Sequence, residues 1–588
     1  MRPCPSVFRG EGELPPAGRL ARLGVTLRPP DMEVANMRRR RPLSWLLVLI
    51  AANSPLTVGA VEPTNPFLQQ CVERFQAEGT LDLGDARLAA ARLIPLLCER
   101  FEFQPAWTDR AMVEQLLDGV RGAASHGLDP ADYHLQAIES RLAAGQWQSS
   151  DPVARAELEL LLTDSLARLA FTLHFGKLDP EQLDPVWNLS REWNGTDPVG
   201  LFEQVLRSGR IREFLEAAPP QYPFYGRLRE ALARYRTIEA AGGWPAIPDG
   251  GGLKPGATDP RVPALRRRLE IEGDLAPGEV ADPTLFDAEV EAAVRRFQER
   301  TGLDPDGVLG KRTTAELNVP VGRRIEQLRA SLERARWVFR DVEEDLLLVD
   351  IAGFKLHLFR DGEEIWVTRV QVGKPYTSTP IFKAAMTHLV FNPTWTVPPG
   401  ILNKEVLPAV RRDHSYLGAH NMSVVRSDGS VVDPSTVDWS GRFPYSIRQE
   451  PGPKNSLGRV KFMFPNEYFV YLHDTPSKQL FDRADRAFSH GCIRVEDPLR
   501  LAELVLAGTE GWDRDAIDRV VASEQTTTVF LKQHLTVMLL YWTAEVTRLG
   551  TVLFSEDIYE RDGAVIAGLN HPFEYRPPRG LPNELRLP

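Results

Sequence analysis

The sequence predicts a multidomain α+β protein: a mostly helical N-terminal scaffold, a small three-helix domain and a β-rich, sandwich-like C-terminal domain. Two observations lead to this fold class. Apolar residues recur at helical spacing in the N-terminal half, whereas short runs of β-branched, aliphatic and aromatic residues begin near residue 345. A chain of 588 residues is also long enough for about three or four domains.

The first 60 residues are not expected to belong to the folded domains of the protein. Four arginines at 38–41 precede a short apolar run at 43–52, and small residues follow at 58–60. This pattern is typical of a cleaved secretory signal, and the run is too short for an ordinary membrane span. A buried helix or an uncleaved membrane anchor is the alternative. Because Met37 directly precedes the arginines, residues 1–36 are interpreted as an over-extended start.

Residues 62–245 are expected to form a helical scaffold domain. The segment 154–175 carries leucines at helical spacing, and Pro/Gly turns separate the predicted helices. A Gly- and Pro-rich linker at 241–258 leads into a compact domain at 255–320. Its expected helices lie at 262–269 and 288–297, with a third ending near Leu317.

A helical connector at 323–339 leads to a β-rich domain at 345–525, and residues 526–588 form a strand-containing tail. Strands are expected at 345–349, 355–359, 364–372, 387–391 and 467–472, and Asp361-Gly362 forms a hairpin turn. The strand pattern breaks between about 397 and 458 into a polar segment. An interruption of this length inside a compact domain predicts a functional, lid-like insert.

The charge and the cysteine content narrow the range of possible functions. The formal net charge is −10, so the chain offers no global basic field for nucleic acid. The four cysteines are Cys4, Cys71, Cys98 and Cys492. In an exported protein Cys71 and Cys98 could pair, which would leave Cys492 as the free thiol of the folded part.

The residues around Cys492 predict acyl-transfer chemistry. His473 is followed after fifteen residues by Ser489-His490-Gly491-Cys492-Ile493-Arg494. A thiol needs a base to become a thiolate, and an imidazole can take that proton and later protonate a leaving amine. The backbone N–H of Cys492 and one near Gly491 are expected to form an oxyanion hole, and Gly491 permits a tight turn.

The sequence argues against two other arrangements at this site, an orienting role for the Asp474 side chain and a metal site. Adjacent strand residues point to opposite faces, so Asp474 is not expected to orient His473. The chain contains neither a CxxC nor an HExxH motif, and the other histidines form no recognised ligand set. We therefore expect no metal and no other cofactor.

The pattern His-x15-Ser-His-Gly-Cys-Ile-Arg resembles the active-site signature of L,D-transpeptidases, the YkuD-type catalytic domain. The segments Gly373-Lys374-Pro375 and 392–399 (NPTWTVPP) support the resemblance. Residues 293–318 (AVRRFQERTGLDPDGVLGKRTTAELN) resemble the peptidoglycan-binding repeat found beside many wall enzymes. The order of the three parts is similar to the large periplasmic subfamily, which implies a periplasmic location, with membrane anchoring if the signal is uncleaved.

The resemblance implies roles for the site residues. Cys492 would attack the carbonyl of the L-centre of diaminopimelate in a donor tetrapeptide stem, with His473 as base, and expel D-alanine. An acceptor amine would then resolve the thioester and give a 3→3 crosslink. Ser489, His490 and Arg494 would contact substrate, although Arg494 could equally form a structural salt bridge. The expected partners are peptidoglycan stem peptides, and carbapenem-type β-lactams are expected to acylate the thiol.

Two competing functions stay open at the level of sequence. An L,D-carboxypeptidase would use the same acyl-enzyme with water in place of the acceptor amine. A cell-wall-binding scaffold would use no catalysis, and the intact His473, Gly491 and Cys492 argue against it.

Overall fold

The computed structural model describes residues 66–579, except for 79–80, 85, 91, 185–186, 190, 192, 194–196, 341 and 577. The predicted export signal, Cys4 and the last nine residues therefore lie outside the described part. No helix among the described residues is both long enough and apolar enough to cross a membrane.

The N-terminal part is helical, which confirms that element of the predicted fold class. Its helices are α1 (Pro66–Glu78), α2 (Leu93–Arg100), α3 (Arg110–Gly122), α4 (Leu135–Ala143), α5 (Pro152–Phe175), α6 (Pro180–Leu183), α7 (Pro198–Ser208), α8 (Ile211–Ala217) and α9 (Pro223–Ala240), with a small hairpin of β1 (Leu81–Leu83) and β2 (Ala86–Leu88). Helix α5 begins where the Asp151 carboxylate accepts the Val153 N–H and Pro152 occupies the first helical position. Its apolar residues are buried on all sides, so α5 is the central helix of the scaffold.

The three-helix domain is also present. It consists of α10 (Val262–Glu272), α11 (Ala288–Arg300) and α12 (Lys311–Leu317), and it has a hydrophobic core of its own. The Gln298 side chain fixes the turn between the last two helices, because its amide donates to Asp306 and Thr313 and accepts from the Gly307 N–H. This polar clamp explains why a turn-rich segment forms a defined structure.

Helix α13 (Val321–Val338) joins these parts to the β-rich domain. It packs against scaffold helix α9 on one side and the C-terminal α19 (Asp562–Asn570) on another. Arg336 is fully buried, pairs with Glu333, and donates to the His126 carbonyl and the Tyr225 hydroxyl, both at 2.9 Å. A buried polar network therefore fixes the connector against the scaffold.

The β-rich domain is built on one nine-stranded sheet. Its strands are β3 (Leu346–Asp350), β4 (Lys355–Arg360), β5 (Glu363–Gly373), β6 (Phe382–Phe391), β11 (Val460–Met463), β12 (Leu472–His473), β13 (Ala487–Ser489), β14 (Ile493–Val495) and β15 (Thr527–Leu540), in the order β13-β5-β14-β12-β11-β6-β15-β3-β4. Because β4 also pairs with β5, eight of these strands close into a ring. The C-terminal segment thus contributes β15 to the interior of the same sheet, between β6 and β3. Helices α17 (Pro498–Val505) and α18 (Arg514–Ala522) and the hairpin β16 (Ala544–Val546) and β17 (Val552–Phe554) complete this part.

The prediction of a strand at 467–472 is wrong for most of that segment. Only Leu472 enters β12, and the preceding residues form a loop. The Asn466 side chain accepts the N–H groups of Tyr468 and Val470, and Phe469 has a φ of 55°. An Asn that binds the following backbone competes with strand pairing, and its effect outweighs the β propensity of the aromatic residues.

The lid-like insert is a folded subdomain rather than an extended polar loop. It contains α14 (Pro399–Ile401), a π-helical turn (Leu402–Val406), α15 (Leu407–Arg412), α16 (Tyr416–Ala419), and a four-stranded sheet of β7 (Trp395–Thr396), β8 (Met422–Val425), β9 (Val431–Val432) and β10 (Ser446–Gln449). Its buried side chains, among them Val410, Val424 and Ile447, form a separate hydrophobic cluster. The insert therefore has a hydrophobic core of its own, separate from that of the nine-stranded sheet.

Cys71 and Cys98 are both free thiols in this structure. They lie on α1 and α2, which pack against each other. Burial raises the pKa of both thiols above the ordinary value. The pairing considered from the sequence is therefore not present here.

Replacing Arg336 with alanine is expected to lower the free energy of unfolding by about 3–5 kcal/mol, because the change leaves the buried Glu333 carboxylate without its counter-ion. Chemical denaturation of the full chain measures the effect. The control is Arg514→Ala, which removes an exposed pair with Asp518 and should change stability by less than about 0.5 kcal/mol. Equal effects of the two substitutions would contradict a stabilising role for the buried network.

Candidate active site

Three adjacent strands bring the polar residues of the site onto one face. The parallel pairing of β12 with β14 sets Leu472 opposite Ile493 and His473 opposite Arg494, and the antiparallel pairing with β11 sets Lys461 opposite His473. Since side chains alternate between faces and paired residues share a face, one face collects a set of polar side chains. These are Lys461, Tyr471, His473, Cys492 and Arg494. The intervening Phe462, Leu472, Ile493 and Val495 are buried on the other face.

The Cys492 thiol is half-buried and surrounded by polar groups. It donates to the Phe469 carbonyl at 3.8 Å, and Tyr471 lies close enough to the sulfur to affect its pKa. Removal from bulk water raises the pKa of Cys492 above its ordinary value, while Tyr471, Lys461 and Arg494 act in the opposite direction. The site therefore holds a neutral thiol at rest and contains cations that stabilise a thiolate.

His473 is held as a neutral imidazole. It is 4 % exposed, and its Nδ1 lies within hydrogen-bond distance of the Asp474 carbonyl, an atom that can only accept. Nδ1 must therefore carry the proton, which leaves Nε2 as a free acceptor. Burial, then the charge of Arg494, lowers the pKa of His473 to about 3, against the opposing effect of the Asp474 carbonyl.

Asp474 orients His473 through its backbone and not through its carboxylate. The carboxylate turns away, accepts the Arg459 and Thr475 N–H groups and pairs with Lys478 at 2.6 Å. This arrangement agrees with the alternation argument from the sequence. Nearby, Gly458 leaves no room for a side chain, since a Cβ there would lie 2.3 Å from the Asp474 carboxyl.

Cys492 and His473 lie on neighbouring strands but do not hydrogen-bond each other in the part of the chain that the structure describes. The thiol points to the Phe469 carbonyl, and Nδ1 of the ring contacts the Asp474 carbonyl. In ligand-free enzymes, catalytic hydrogen bonds are often long and tighten only with substrate bound. A small rotation about the Cys492 side chain is therefore part of any reaction between the two groups.

Two of the predicted site residues have structural contacts that correct their expected roles. Ser489 is 2 % exposed, and its hydroxyl donates to the Cys492 carbonyl and accepts the Gly491 N–H at 3.0 Å. Ser489 is therefore enclosed within the loop and does not face substrate, contrary to the expectation from the sequence. The Gly491 N–H is already committed to Ser489, so Gly491 does not supply a free oxyanion donor here. Its φ of 115° shows that its role is to permit the turn.

A second layer of residues holds this loop. Thr379 donates through its hydroxyl to the Gly491 carbonyl at 2.9 Å and accepts the Gly373 N–H at the same distance. The Tyr559 hydroxyl donates to the Gly373 carbonyl at 2.6 Å. A Cβ at Gly373 would lie 2.1 Å from the Thr377 carbonyl and 3.1 Å from Gly491 Cα, so only glycine allows this close approach.

Arg494 and His490 face away from this layer. Arg494 donates to Gln371 at 3.2 Å, and its buried Nε has no hydrogen-bond partner. None of the ion pairs among the described residues includes Arg494, so the structural salt bridge considered from the sequence does not form there. His490 is exposed, and its Nε2 lies 2.8 Å from Glu405 of the insert.

Sequence reasoning missed Lys461, Tyr471 and Phe469 as parts of the site. Lys461 Nζ lies 3.7 Å from the centre of the Tyr471 ring, and the two groups flank the sulfur. Tyr471 could have been found from alternation, because it stands two residues before His473 on the same strand line. Lys461 could not have been found in this way, because the register of β11 against β12 is not visible in the sequence.

Comparison with known proteins agrees with this arrangement. Residues 344–521 match the L,D-transpeptidase catalytic domain, 99–232 match a scaffold domain, and 258–317 match a domain described as "Putative peptidoglycan binding domain". A protein of Haemophilus influenzae described as "Putative L,D-transpeptidase" is 37% identical over 219 residues. That match covers 37% of this chain and 44% of the relative, so the chain matches less than half of the relative's length.

Solved structures of L,D-transpeptidases also match at low identity. The enzyme from Xylanimonas cellulosilytica is 16% identical, with 50% of this chain and 99% of that chain covered and a TM-score of 0.16. The one from Stackebrandtia nassauensis is 14% identical, with 50% and 96% covered and a TM-score of 0.20. Scores at this level carry no argument about geometry.

The class of protein follows from the domain matches: this is an α+β protein with an L,D-transpeptidase catalytic domain. The same chain carries a scaffold domain and a peptidoglycan-binding domain ahead of it. The family resemblance inferred from the sequence is thereby confirmed.

The rate at which iodoacetamide alkylates Cys492 is expected to rise with pH around a midpoint above the value of about 8.5 for a free cysteine, because burial disfavours the thiolate. Lys461→Met removes a nearby positive charge, so the midpoint should move upward by a further 0.5–1 pH unit, roughly a threefold to tenfold slower reaction at pH 8. Mass spectrometry of the Cys492 peptide measures the rate.

The matched control is Lys355→Met, which removes a lysine paired with Glu545 elsewhere in the same domain. It should leave the Cys492 midpoint unchanged. A midpoint that stays constant or falls in Lys461→Met would show that this ammonium group does not stabilise the thiolate.

Proposed function

We propose that the protein is a peptidoglycan L,D-transpeptidase that forms 3→3 crosslinks through a Cys492 thioester. The single observation that supports this most is the shared face of the sheet, where a thiol, a neutral imidazole and two cations adjoin. It lies in the part of the chain that matches the L,D-transpeptidase catalytic domain. The active residues are Cys492 as nucleophile and His473 as base.

In the first half-reaction the Cys492 proton passes to His473 Nε2, and the sulfur attacks the carbonyl of the L-centre of diaminopimelate. The C–S bond forms, and the Cys492 N–H donates to the carbonyl oxygen as it becomes negative. Collapse then breaks the C–N bond, and the D-alanine amine takes the proton back from His473. The donor loses D-alanine and becomes a thioester.

The lowered pKa of His473 favours the second of these proton transfers, from the imidazolium to the leaving amine. A pKa lowered to about 3 makes the imidazolium a strong acid, so it readily gives its proton to the leaving amine. Lys461 and Arg494 offset part of the cost of the thiolate while His473 holds the proton. Arg494, which has a buried Nε without a partner, is available to pair with a substrate carboxylate.

The proposed partners are the stem peptides of peptidoglycan, as donor and as acceptor. The match to a peptidoglycan-binding domain at 258–317 supports this choice. Because the donor chemistry is an acylation of a thiol, carbapenem-type β-lactams are proposed as covalent inhibitors at Cys492. The wall substrate also supports the proposal of a periplasmic, exported protein.

With a disaccharide-tetrapeptide as substrate, the full chain is expected to release D-alanine and give a crosslinked dimer, and a carbapenem should add one mass adduct at Cys492. Cys492→Ala should abolish the dimer and the adduct, because the nucleophile is lost. Cys98→Ala is the matched control, since that half-buried thiol lies on α2 of the scaffold. Mass spectrometry of the reaction products detects the dimer, and mass spectrometry of the protein detects the adduct.

Each contrary result has a distinct meaning. Tripeptide without dimer would replace the proposal with an L,D-carboxypeptidase that uses water as acceptor. A dimer formed by Cys492→Ala would overturn the assignment of the nucleophile. Neither product nor adduct with the unaltered chain would favour a non-catalytic wall-binding scaffold.

A further inference from the structure

We propose that Glu405 of the insert forms a binding site for a primary ammonium group, the group that the acceptor stem brings to the thioester. This inference rests on the proposed function, because it concerns the second half-reaction of the same site. It assigns to the insert a specific task, which is to favour an amine over water as the group that resolves the acyl-enzyme.

Glu405 is held in place by the fold of the insert. It lies in the π-helical turn Leu402–Val406, whose Leu402 and Val406 side chains are buried in the core of the insert. Short π-helical turns are rare and often occur at functional sites. Between these two anchors the Glu405 side chain remains 53% exposed and contacts His490 at 2.8 Å. The carboxylate is thus positioned by buried neighbours while it stays open to solvent.

The contact with His490 puts this carboxylate close to the nucleophile. His490 precedes Cys492 by two residues, so their Cα atoms lie at most about 7 Å apart. Ser489 and Gly491 are buried on either side, whereas His490 is exposed. An amine that replaces or shares the His490 contact at Glu405 is therefore held beside the exposed side of the loop that carries Cys492.

The charges around the sulfur explain why such a carboxylate is needed. Lys461 and Arg494 both act on Cys492, and both favour negative groups: the thiolate and the donor carboxylate. The same field repels an acceptor that arrives as an ammonium ion. Glu405 supplies the opposite charge on the exposed side of the loop, where water is the competing nucleophile.

The proton balance of the second half-reaction agrees with this arrangement. The acceptor ammonium, bound to Glu405, gives one proton through His490 to solvent, and its nitrogen lone pair attacks the thioester carbonyl. The C–N bond forms, the C–S bond breaks, and the sulfur leaves as a thiolate. A second proton moves from the nitrogen through His473 to that thiolate. The products are an amide, a free thiol and one released proton.

The test separates acylation from resolution of the thioester. In Glu405→Gln the carbapenem adduct should form at a rate within about twofold of the unaltered chain, because Glu405 does not contact the donor side. The ratio of dimer to tripeptide from the disaccharide-tetrapeptide should fall by about tenfold, since a charge-assisted contact with the ammonium is lost. Glu405→Asp keeps the charge and should restore part of that ratio.

The matched control is Glu450→Gln, which alters a carboxylate of the same insert that pairs with Arg448 at 2.9 Å. It should leave both the adduct rate and the product ratio unchanged. Normal acylation with an unaltered product ratio in Glu405→Gln would overturn this inference and leave the transpeptidase assignment intact. Loss of acylation in Glu405→Gln would overturn it as well, by placing Glu405 on the donor side. Absence of any acyl-enzyme in the unaltered chain would instead overturn the proposed function.

Discussion

The in-register parallel pairing of β12 with β14 is the constraint on which the site depends. It sets His473 opposite Arg494, and it brings Tyr471 beside Cys492. A slip of one residue would turn Cys492 into the core and expose Ile493, because strand side chains alternate between faces. The fully buried Leu472 and Ile493 resist such a slip, so the hydrophobic core fixes the geometry of the polar face.

Two features of the fold stabilise that register, namely the closure of the sheet and the hydrogen bonds of the loop before Cys492. On one side the sheet closes through β4 and β5, which limits movement of the strands that carry the site. On the other, Ser489, Thr379 and Tyr559 connect the loop before Cys492 to β5 through a chain of hydrogen bonds. Buried and fully engaged polar groups of this kind make a site rigid. The position of Cys492 thus depends on residues outside the polar face that carries the sulfur.

The fold class and two residues of the candidate site were predictable, while much of the surrounding candidate site was not. Cys492 and His473 stand in a long motif, and helical periodicity predicted the scaffold. Strand β11 and its Lys461 were missed, because pairing registers between distant segments leave no trace in one sequence. The expected substrate role of Ser489 failed since the sequence does not show that its hydroxyl is used within the loop. The contact of Glu405 with His490 spans 85 residues and is set by the packing of the insert.

The separate core of the insert has a consequence for how such an enzyme can change. Its buried cluster is separate from the core of the nine-stranded sheet, so substitutions in the insert alter its surface at little cost to the strands of that sheet. The insert and the sheet are therefore segments that can diversify independently of each other.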